Sequence, residues 1–524
     1  MTSQGFESRF SAIADRDCSV LAGGRKGVEK ESLRVDADGY LAQTDHPQAL
    51  GSALTNGFIT TDYSEALLEF ITPALANTWE AQQFLCDIHQ FTYSELGDEL
   101  LWAASMPCRI PADDGIPLAR YGSSNVGRMK TIYRRGLGYR YGRQMQTIAG
   151  VHFNYSLPLD FWPVYMEVLA SKQDDDEFRS EHYLGLVRNF RRFGWLVLYL
   201  FGSSPAMCKS FSTDSSVGMP SLGADTFYEP FGTSLRMSDL GYSNQNQSKI
   251  NISLNGLDAY IRDLSAAIAT PEPDYEKIGV KINGEYRQLN ANRLQIENEY
   301  YSSIRPKRVA MSGERPTAAL RRGGIEYVEI RSLDINVDDP AGINQNTMRF
   351  VEAFLIYCML EDSPELCSES LDETKLNQTM TAKQGRDPDF RLQRDGKAVA
   401  LRAWAEEILE HVMAIAECLD RHDGSDRYVH SVRMMQELIG NPDETPSARL
   451  LQKLSEEKCS FFELAMSMSR GHRDYFAAIT PLSDERRQQF LREASESIVR
   501  QQQIESSDNI NLDEYLATYF SSSA

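Results

Sequence analysis

The chain has 524 residues, of which 42% are hydrophobic and 10% aromatic, enough for a packed core and inconsistent with wholesale disorder. Its formal net charge of -21 disfavours a nucleic acid or an anionic membrane as partner, since both are recognised largely through basic surface. Any anionic substrate must therefore be met by local cations.

The N-terminal run MTSQGFESRFSAIADRD carries early acidic residues and no apolar core of the kind a signal peptide needs. Residues 6–22 read as a helix stopped by Gly23-Gly24. The next stretch, from Gly27 to Val35, reads as a strand whose alternation puts Glu29, Glu31, Leu33 and Val35 on one face. Two carboxylates on a face that continues as core require a partner, a metal or protonation. The alternative is an edge strand with its charged end in solvent. Asp38-Gly39 then signals a hairpin turn. Within 59–72, Leu67, Glu69 and Ile71 share a strand face, so a further carboxylate sits in an apolar run. A helix follows over 78–96, with Trp79, Leu85, Ile88 and Leu96 available for burial.

Residues 117–156 are rich in Tyr, Arg and Gly, which suits either a carboxylate or phosphate site or a stacked Arg/Tyr surface. Alternation from Gln146 to Ser156 aligns Gln146, Ile148, Gly150, His152 and Asn154. A strand histidine such as His152 is commonly a hydrogen-bonded core residue and less often a metal ligand. Residues 176–203 read as helix, and the apolar run Phe193–Gly202 is about half the length a membrane span needs. An irregular loop is expected over 207–235, a helix over 254–269, and a strand over 294–301 bearing Gln295, Glu297, Glu299 and Tyr301 on one face. The stretch Ile304-Arg305-Pro306-Lys307-Arg308 is the most basic of the chain. The strand Ile325–Ile335 embeds Glu329 and Arg331 among apolar neighbours on one face, which also fits an internal salt bridge. Beyond 341 the pattern is helical, over 345–361, 397–421, 428–439, 445–469 and 483–505, with no residue resembling a site and a last segment from Tyr519 that frays. The eight cysteines form no C-x-x-C pair and are expected to be reduced thiols.

Glu29, Glu31, Glu69 and Glu329 are thus carboxylates on inward-reading strands, with His152 on another. Such oxygen-rich ligation suits Mg²⁺, with Mn²⁺ as an alternative, and with nearby Arg and Lys it is equipment for polyphosphate transfer. The P-loop, G-x-S-x-G and H-E-x-x-H motifs are absent.

The runs GVEKESLRVDADGYLA, HPQALGSALTNGFITTDYSEALLEFITP, YGSSNVGRMKTIYRRGL, QTIAGVHFNYSLP, TSLRMSDLGYSN, LQIENEYYSSIRPKR and GGIEYVEIRSLDIN closely resemble glutamate-cysteine ligase of the proteobacterial type, in the same order over residues 20 to about 360. The resemblance implies an α+β, glutamine-synthetase-like fold, a curved, mostly antiparallel sheet forming an active-site funnel with helices packed outside it. It implies ATP- and Mg²⁺-dependent joining of the glutamate γ-carboxylate to the cysteine amine. By that likeness Glu29, Glu31, Asp62, Glu69 and Glu329 fall on metal-ligand positions with His152 beside them, Arg331 at the phosphoryl group and Arg236 at a substrate carboxylate. Tyr63, Tyr133, Leu137, Ile148, Tyr242 and Tyr301 correspond to the cysteine pocket, and Gln146 and Arg134 to further substrate contacts. The expected organisation is a catalytic body over 1–340 and a helical region over 341–524 packed on it. The chain is expected to act in the cytoplasm as a monomer on small molecules. Rival readings are another carboxylate-amine ligase of this fold, a two-metal phosphohydrolase, and a binding regulator without turnover.

Overall fold

A computed structural model describes residues 4–211, 216, 218–241, 250–311 and 313–521. Strands drawn from residues 25–333 form a seven-stranded sheet. Its strands are β1 (Arg25–Val35), β2 (Ile59–Thr61), β3 (Leu67–Ile71), β4 (Leu100–Leu101), β5 (Val151–Ser156), β6 (Ile304–Lys307) and β7 (Tyr327–Leu333). The order is β6-β7-β5-β1-β3-β2, with β4 paired to the end of β1, and every pairing is antiparallel. β1 is central, and both its faces are enclosed.

The even-numbered face of β1 carries Lys26, Lys30 and Arg34, all buried. Each charge finds a partner from another element, as burial demands. Arg34 Nη1 donates to Glu99 Oε2 at 2.7 Å, and its Nη2 donates to the Glu65 carbonyl. Burial pulls Lys30 down to about 7. Its Nζ lies 3.1 Å from His89 Nε2, while His89 Nδ1 sits 2.7 Å from the Leu85 carbonyl; Nδ1 therefore holds the ring proton and Nε2 accepts from Lys30. Lys26 Nζ lies 2.8 Å from Glu352 Oε1, and Tyr428 donates to Glu352 Oε2 at 2.6 Å.

Helices cover the sheet. Gln345–Leu360 is buried along its whole length from Met348 onward, and one main apolar core extends from Phe6 to Phe490, with two smaller clusters beside it. The cluster Trp195–Phe201 is a buried helix, and among the described residues no helix is long and apolar enough to cross a membrane.

Several local expectations are corrected. The first helix ends at Ala14, and Cys18–Leu21 forms a separate 3₁₀ turn capped by Asp17. Trp79 lies at the start of the helix Thr78–Tyr93 and is 51% exposed, whereas Leu85 and Ile88 are buried. Gln146 and Ile148 are not on β5, because the chain makes a 3₁₀ turn over Gln144–Thr147 first. Residues 206–228 contain a small three-stranded sheet rather than only loop. The expected strand over 294–301 is irregular around a 3₁₀ turn, Glu297–Glu299. The span 445–469 is two helices, Pro446–Glu457 and Phe461–Ala478, separated where Lys458 adopts a positive φ. A helix over Ser368–Gln384 joins the pattern; of the segment expected to fray, residues 519–521 instead end a helix, Leu512–Ser521, held by Leu512 and Leu516, and residues 522–524 lie outside the described residues. Cys18 and Cys418 are disulfide-bonded, because the 3₁₀ turn packs on the helix Leu401–Asp423; the other six cysteines are free.

The Lys26–Glu352 pair yields a stability prediction. Lys26→Met orphans a buried carboxylate and is expected to cost about 3–5 kcal/mol in urea unfolding, most of it recovered on adding Glu352→Gln. Equal losses in the single and double variants would contradict the pairing.

Candidate active site

Strand register brings the carboxylates together. β5 lies between β1 and β7, so His152 pairs with Glu29 and Asn154 with Glu329. On the other side of β1, Glu69 stands opposite Glu31. Asn154 Nδ2 donates to Glu29 Oε1 at 2.9 Å, and the Gly150 amide donates to Glu31 Oε2 at 2.6 Å. His152 Nδ1 lies 3.2 Å from Glu29 Oε2 and its Nε2 lies 3.9 Å from Glu31 Oε1. With Nδ1–H directed at Glu29, the Nε2 lone pair is left to face a cation. One ligand atom each from Glu29, His152 and Glu329 falls within 4.8 Å of the others, a separation at which they could hold a metal ion.

The electrostatics of the cluster divide it. Burial and the carboxylates of Glu29, Asp62 and Glu31 push Glu69 well above the usual carboxylate range. Burial likewise raises Glu31. In Glu29 burial acts the same way, but the hydrogen bond from His152 and neighbouring charges hold the carboxyl below its ordinary value. Burial also opposes ionisation of Glu329, yet Lys307 and Arg331 overcome it and hold this carboxyl well down. Arg331 Nη1 lies 3.2 Å from Glu329 Oε2, and Lys307 Nζ lies 3.2 Å from Oε1. On the Glu31–Glu69 side burial therefore disfavours the ionised carboxylates, a cost that a divalent cation bound there would offset.

Arg331 is aimed by an irregularity. Between Ile330 and Leu333 the β7 register against β5 slips, so Arg331 and Ser332 occupy a bulge, and the Arg331 amide bonds the Ser303 carbonyl at 2.9 Å. Arg236 lies beside it on a 3₁₀ turn, donating Nη2 to the Arg331 carbonyl at 2.8 Å, with Nη1 3.7 Å from Asp334 Oδ1. A Cβ at position 150 would lie 2.1 Å from Arg236 Nη2, so any larger residue there would displace that guanidinium.

These groups open into a cavity of about 970 Å³. Glu29, Glu31, Asp62, Glu69, His152, Arg236, Glu329 and Arg331 all line it. Its opposite wall is the helix Asn125–Tyr141, started by Ser124 accepting from the Gly127 amide, which presents Tyr133, Arg134 and Leu137. Arg134 Nη2 lies 4.0 Å from Asp62 Oδ1, and its guanidinium sits 4.5 Å from the Tyr121 ring centre. Tyr63, Gln146 and Tyr301 also line the cavity; Ile148 is fully buried and does not. Tyr242 lies outside the described residues. Sequence reasoning did not assign Lys307, Lys130, Glu297 or Tyr519 to the site, although all four line the cavity. Lys307 was recoverable from the basic run that forms β6; Tyr519, remote in sequence, had no such signal.

A family model described as glutamate-cysteine ligase matches residues 11–381. A glutamate-cysteine ligase from Alcanivorax borkumensis is 49% identical over 520 residues, covering 98% of this chain and 99% of that protein. The chain belongs to the glutamate-cysteine ligase family. A second member, from Pseudomonas putida, is 46% identical over 493 residues, 94% of each chain. A crystal structure of a glutamate-cysteine ligase from Francisella tularensis in complex with AMP superposes with a TM-score of 0.90 at 34% identity, covering 96% of this chain and 98% of that one. The α+β fold is that of this family: an antiparallel sheet with helices outside and a helical C-terminal region.

Because Glu329 has two cations, Arg331 is not its sole counter-charge. Arg331→Met is expected to lower stability by less than about 3 kcal/mol, whereas Lys307→Met/Arg331→Met exceeds that bound by orphaning the carboxylate. Urea unfolding of both variants checks this; a full loss from Arg331→Met alone would make the pair purely structural.

Proposed function

We propose that this chain joins the γ-carboxylate of L-glutamate to the amine of L-cysteine at the expense of ATP, giving γ-glutamylcysteine, ADP and phosphate, the first step of glutathione biosynthesis. The observation that carries the reading is the carboxylate-imidazole cluster of Glu29, His152 and Glu329 with Arg331 at its edge, in a chain of this family. That the Francisella relative was solved in complex with AMP supports an adenine nucleotide as a ligand of this chain.

A carboxylate is a poor acyl donor because oxide is a poor leaving group, so phosphorylation to an acyl phosphate comes first and the amine then displaces phosphate. Glu29, Glu31, Asp62, Glu69, His152 and Glu329 are the residues we assign to Mg²⁺, or Mn²⁺. Their fit rests on the oxygen-rich donor set and on the closeness of the Glu29, His152 and Glu329 ligand atoms, with buried Glu31 and Glu69 beside them lacking a matching cation. Bound there, the metal supplies charge neutralisation for the polyphosphate. Arg331 contributes a fixed cation to the transferring phosphoryl, and its hold on Glu329 keeps the guanidinium oriented before substrate arrives. Arg236, buried and braced by Asp334, meets a substrate carboxylate. Tyr63, Tyr133, Leu137 and Tyr301, which line the cavity, are assigned to the cysteine side, with Arg134 and Gln146 as further contacts; Tyr242 joins them on family likeness alone, and Ile148, buried behind the wall, is not among them. The cysteine α-amine must attack in its neutral form, which a less polar pocket favours. Enclosure of the cavity limits hydrolysis of the acyl phosphate. We further read residues 1–340 as the catalytic body and 341–524 as a helical region of that body, supported by the continuous core, and the protein as a cytoplasmic monomer.

ADP release measured with glutamate, with cysteine, with both and with neither tests the assignment. It is expected to require both amino acids and Mg²⁺, and to fall on the order of a hundredfold in Glu31→Gln with the fold intact. Equal release without amino acids would favour a phosphohydrolase, and wild-type activity in Glu31→Gln would remove Glu31 from the metal site.

A further inference from the structure

Two thiols outside the cavity meet side by side. Cys108 lies in the loop that follows β4, and Cys208 ends the short strand Ala206–Cys208. Both are free and buried, Cys108 at 1% and Cys208 at 6% exposure, and neither lines the cavity of the carboxylates. Cys208 Sγ is surrounded by donors. The Cys108 thiol donates to it, as do the Ser210 hydroxyl at 3.1 Å and the backbone amides of Arg109 and Ser210. The Arg109 amide also donates to Ser210 Oγ at 3.0 Å, which leaves that hydroxyl to point its proton at the sulfur.

A sulfur that accepts so many hydrogen bonds is stabilised as thiolate, and these contacts, the Cys108 thiol foremost, hold Cys208 down to about 5 against the opposing effect of burial. Burial and the anionic neighbour push the Cys108 thiol well up, so the proton stays there. The pair thus sets one nucleophile against one thiol, the arrangement of an attacking and a resolving cysteine. Cys208 keeps its slight exposure beside the exposed Ser210, which admits only a small oxidant.

The segments that carry the thiols meet again at the active site. Just before Cys108, Ser105 accepts the Ala149 amide on its carbonyl at 3.0 Å and the Ile335 amide on Oγ at 2.8 Å. Just before the Cys208 strand, Ser204 Oγ donates to Asp334 Oδ2 at 2.7 Å and the Ser203 amide to the same oxygen at 2.9 Å. Asp334 in turn braces Arg236. Asp334-Ile335 is therefore gripped from both sides by the two thiol-bearing segments.

We propose that Cys208 and Cys108 form a modification site for hydrogen peroxide, closing to a disulfide that weakens the hold of Arg236 on its substrate carboxylate. The second half rests on the ligase reading, since it takes Arg236 as a substrate contact. The Cys208 thiolate attacks one peroxide oxygen, the O–O bond breaks, hydroxide leaves, and Cys208 becomes a sulfenic acid. The Cys108 sulfur then attacks the Cys208 sulfur, the S–O bond breaks, and the departing hydroxide takes the Cys108 proton as water. The two sulfurs lose two electrons in all and the peroxide gains two. A dithiol reductant restores both thiols. Loss of the Cys208 charge removes one cause of the high Cys108 value, so the first step favours the second. Closure draws the sulfurs to about 2.05 Å and pulls together the segments that grip Asp334.

The test exposes the full-length enzyme to hydrogen peroxide, maps its disulfides by non-reducing peptide mass spectrometry, and measures phosphate release before and after. A Cys108–Cys208 link is expected beside the Cys18–Cys418 link already present. The KM for one amino acid is expected to rise about threefold or more, with the KM for ATP within about twofold, and to recover on adding a dithiol. In Cys108→Ser, a sulfenic acid at Cys208 is expected to persist and to be captured by a cyclic 1,3-diketone. In Cys208→Ser, peroxide is expected to leave the KM unchanged. If either variant does not fold, the wild-type map and KM shift still decide. Oxidation confined to the exposed Cys367 would overturn the proposal, as would a Cys108–Cys208 link that moves neither amino-acid KM, or a KM shift that persists in Cys208→Ser. Turnover that does not require both amino acids, in a protein that still forms the link, would overturn the ligase reading while upholding the modification site.

Discussion

The structure depends on how one central strand disposes of its charges. β1 buries basic side chains on one face and acidic ones on the other, and the two faces resolve the cost differently. On the basic face each cation meets a group from a distant element, Glu352 for Lys26, His89 for Lys30 and Glu99 for Arg34, so the chain itself completes the pairing. On the acidic face Glu29 and Glu329 obtain His152, Lys307 and Arg331, but Glu31 and Glu69 face each other with burial pushing both carboxyls up. This contrast, with partners supplied by the chain on one side and buried carboxyls lacking a matching cation on the other, is what supports the proposal of a cationic ligand on the second side.

The remainder of the fold serves that face. Antiparallel pairing sets Glu29, His152 and Glu329 across neighbouring strands, and the bulge at Arg331 supplies a cation at the cluster's edge without breaking the sheet. A glycine at position 150 admits Arg236 close behind the strand. The helix Asn125–Tyr141 crosses opposite the sheet and gives the cavity an Arg- and Tyr-lined roof, while the long buried helix Gln345–Leu360 stiffens the sheet from outside. Preorganisation of this kind is what transfer of a phosphoryl group requires, since most of the catalytic gain comes from charges already in position.

Much of the acidic face was legible because strand alternation is a local property. Glu29, Glu31, Glu69, His152 and Glu329 each declared themselves by sitting on an apolar alternating run, whereas Asp62 lies just past the end of β2 and was reached only through family resemblance. The same rule misled where alternation was accidental. Glu297 and Glu299 alternate with apolar residues, yet they lie on a 3₁₀ turn and are buried by Arg315 and Arg140, partners that no local pattern reveals. Gln146 and Ile148 were assigned to β5 because nothing in their composition announces the turn before Val151. The helix Ser368–Gln384 buries Thr374, Asn377, Thr381 and Ala382, polar or small side chains that make no apolar stripe. The Cys18–Cys418 bond and the contribution of Tyr519 depend on tertiary folding alone.

The central claim is that the acidic face activates a carboxylate by phosphorylating it, and the fate of one oxygen atom tests it most directly. Glutamate labelled with heavy oxygen in its γ-carboxylate, turned over with ATP, Mg²⁺ and cysteine, is expected to deliver one labelled oxygen to the inorganic phosphate, because the amine displaces phosphate from an acyl phosphate. Phosphate released without label, while γ-glutamylcysteine still forms, would show that the carboxylate is never phosphorylated and would contradict the role assigned to this site.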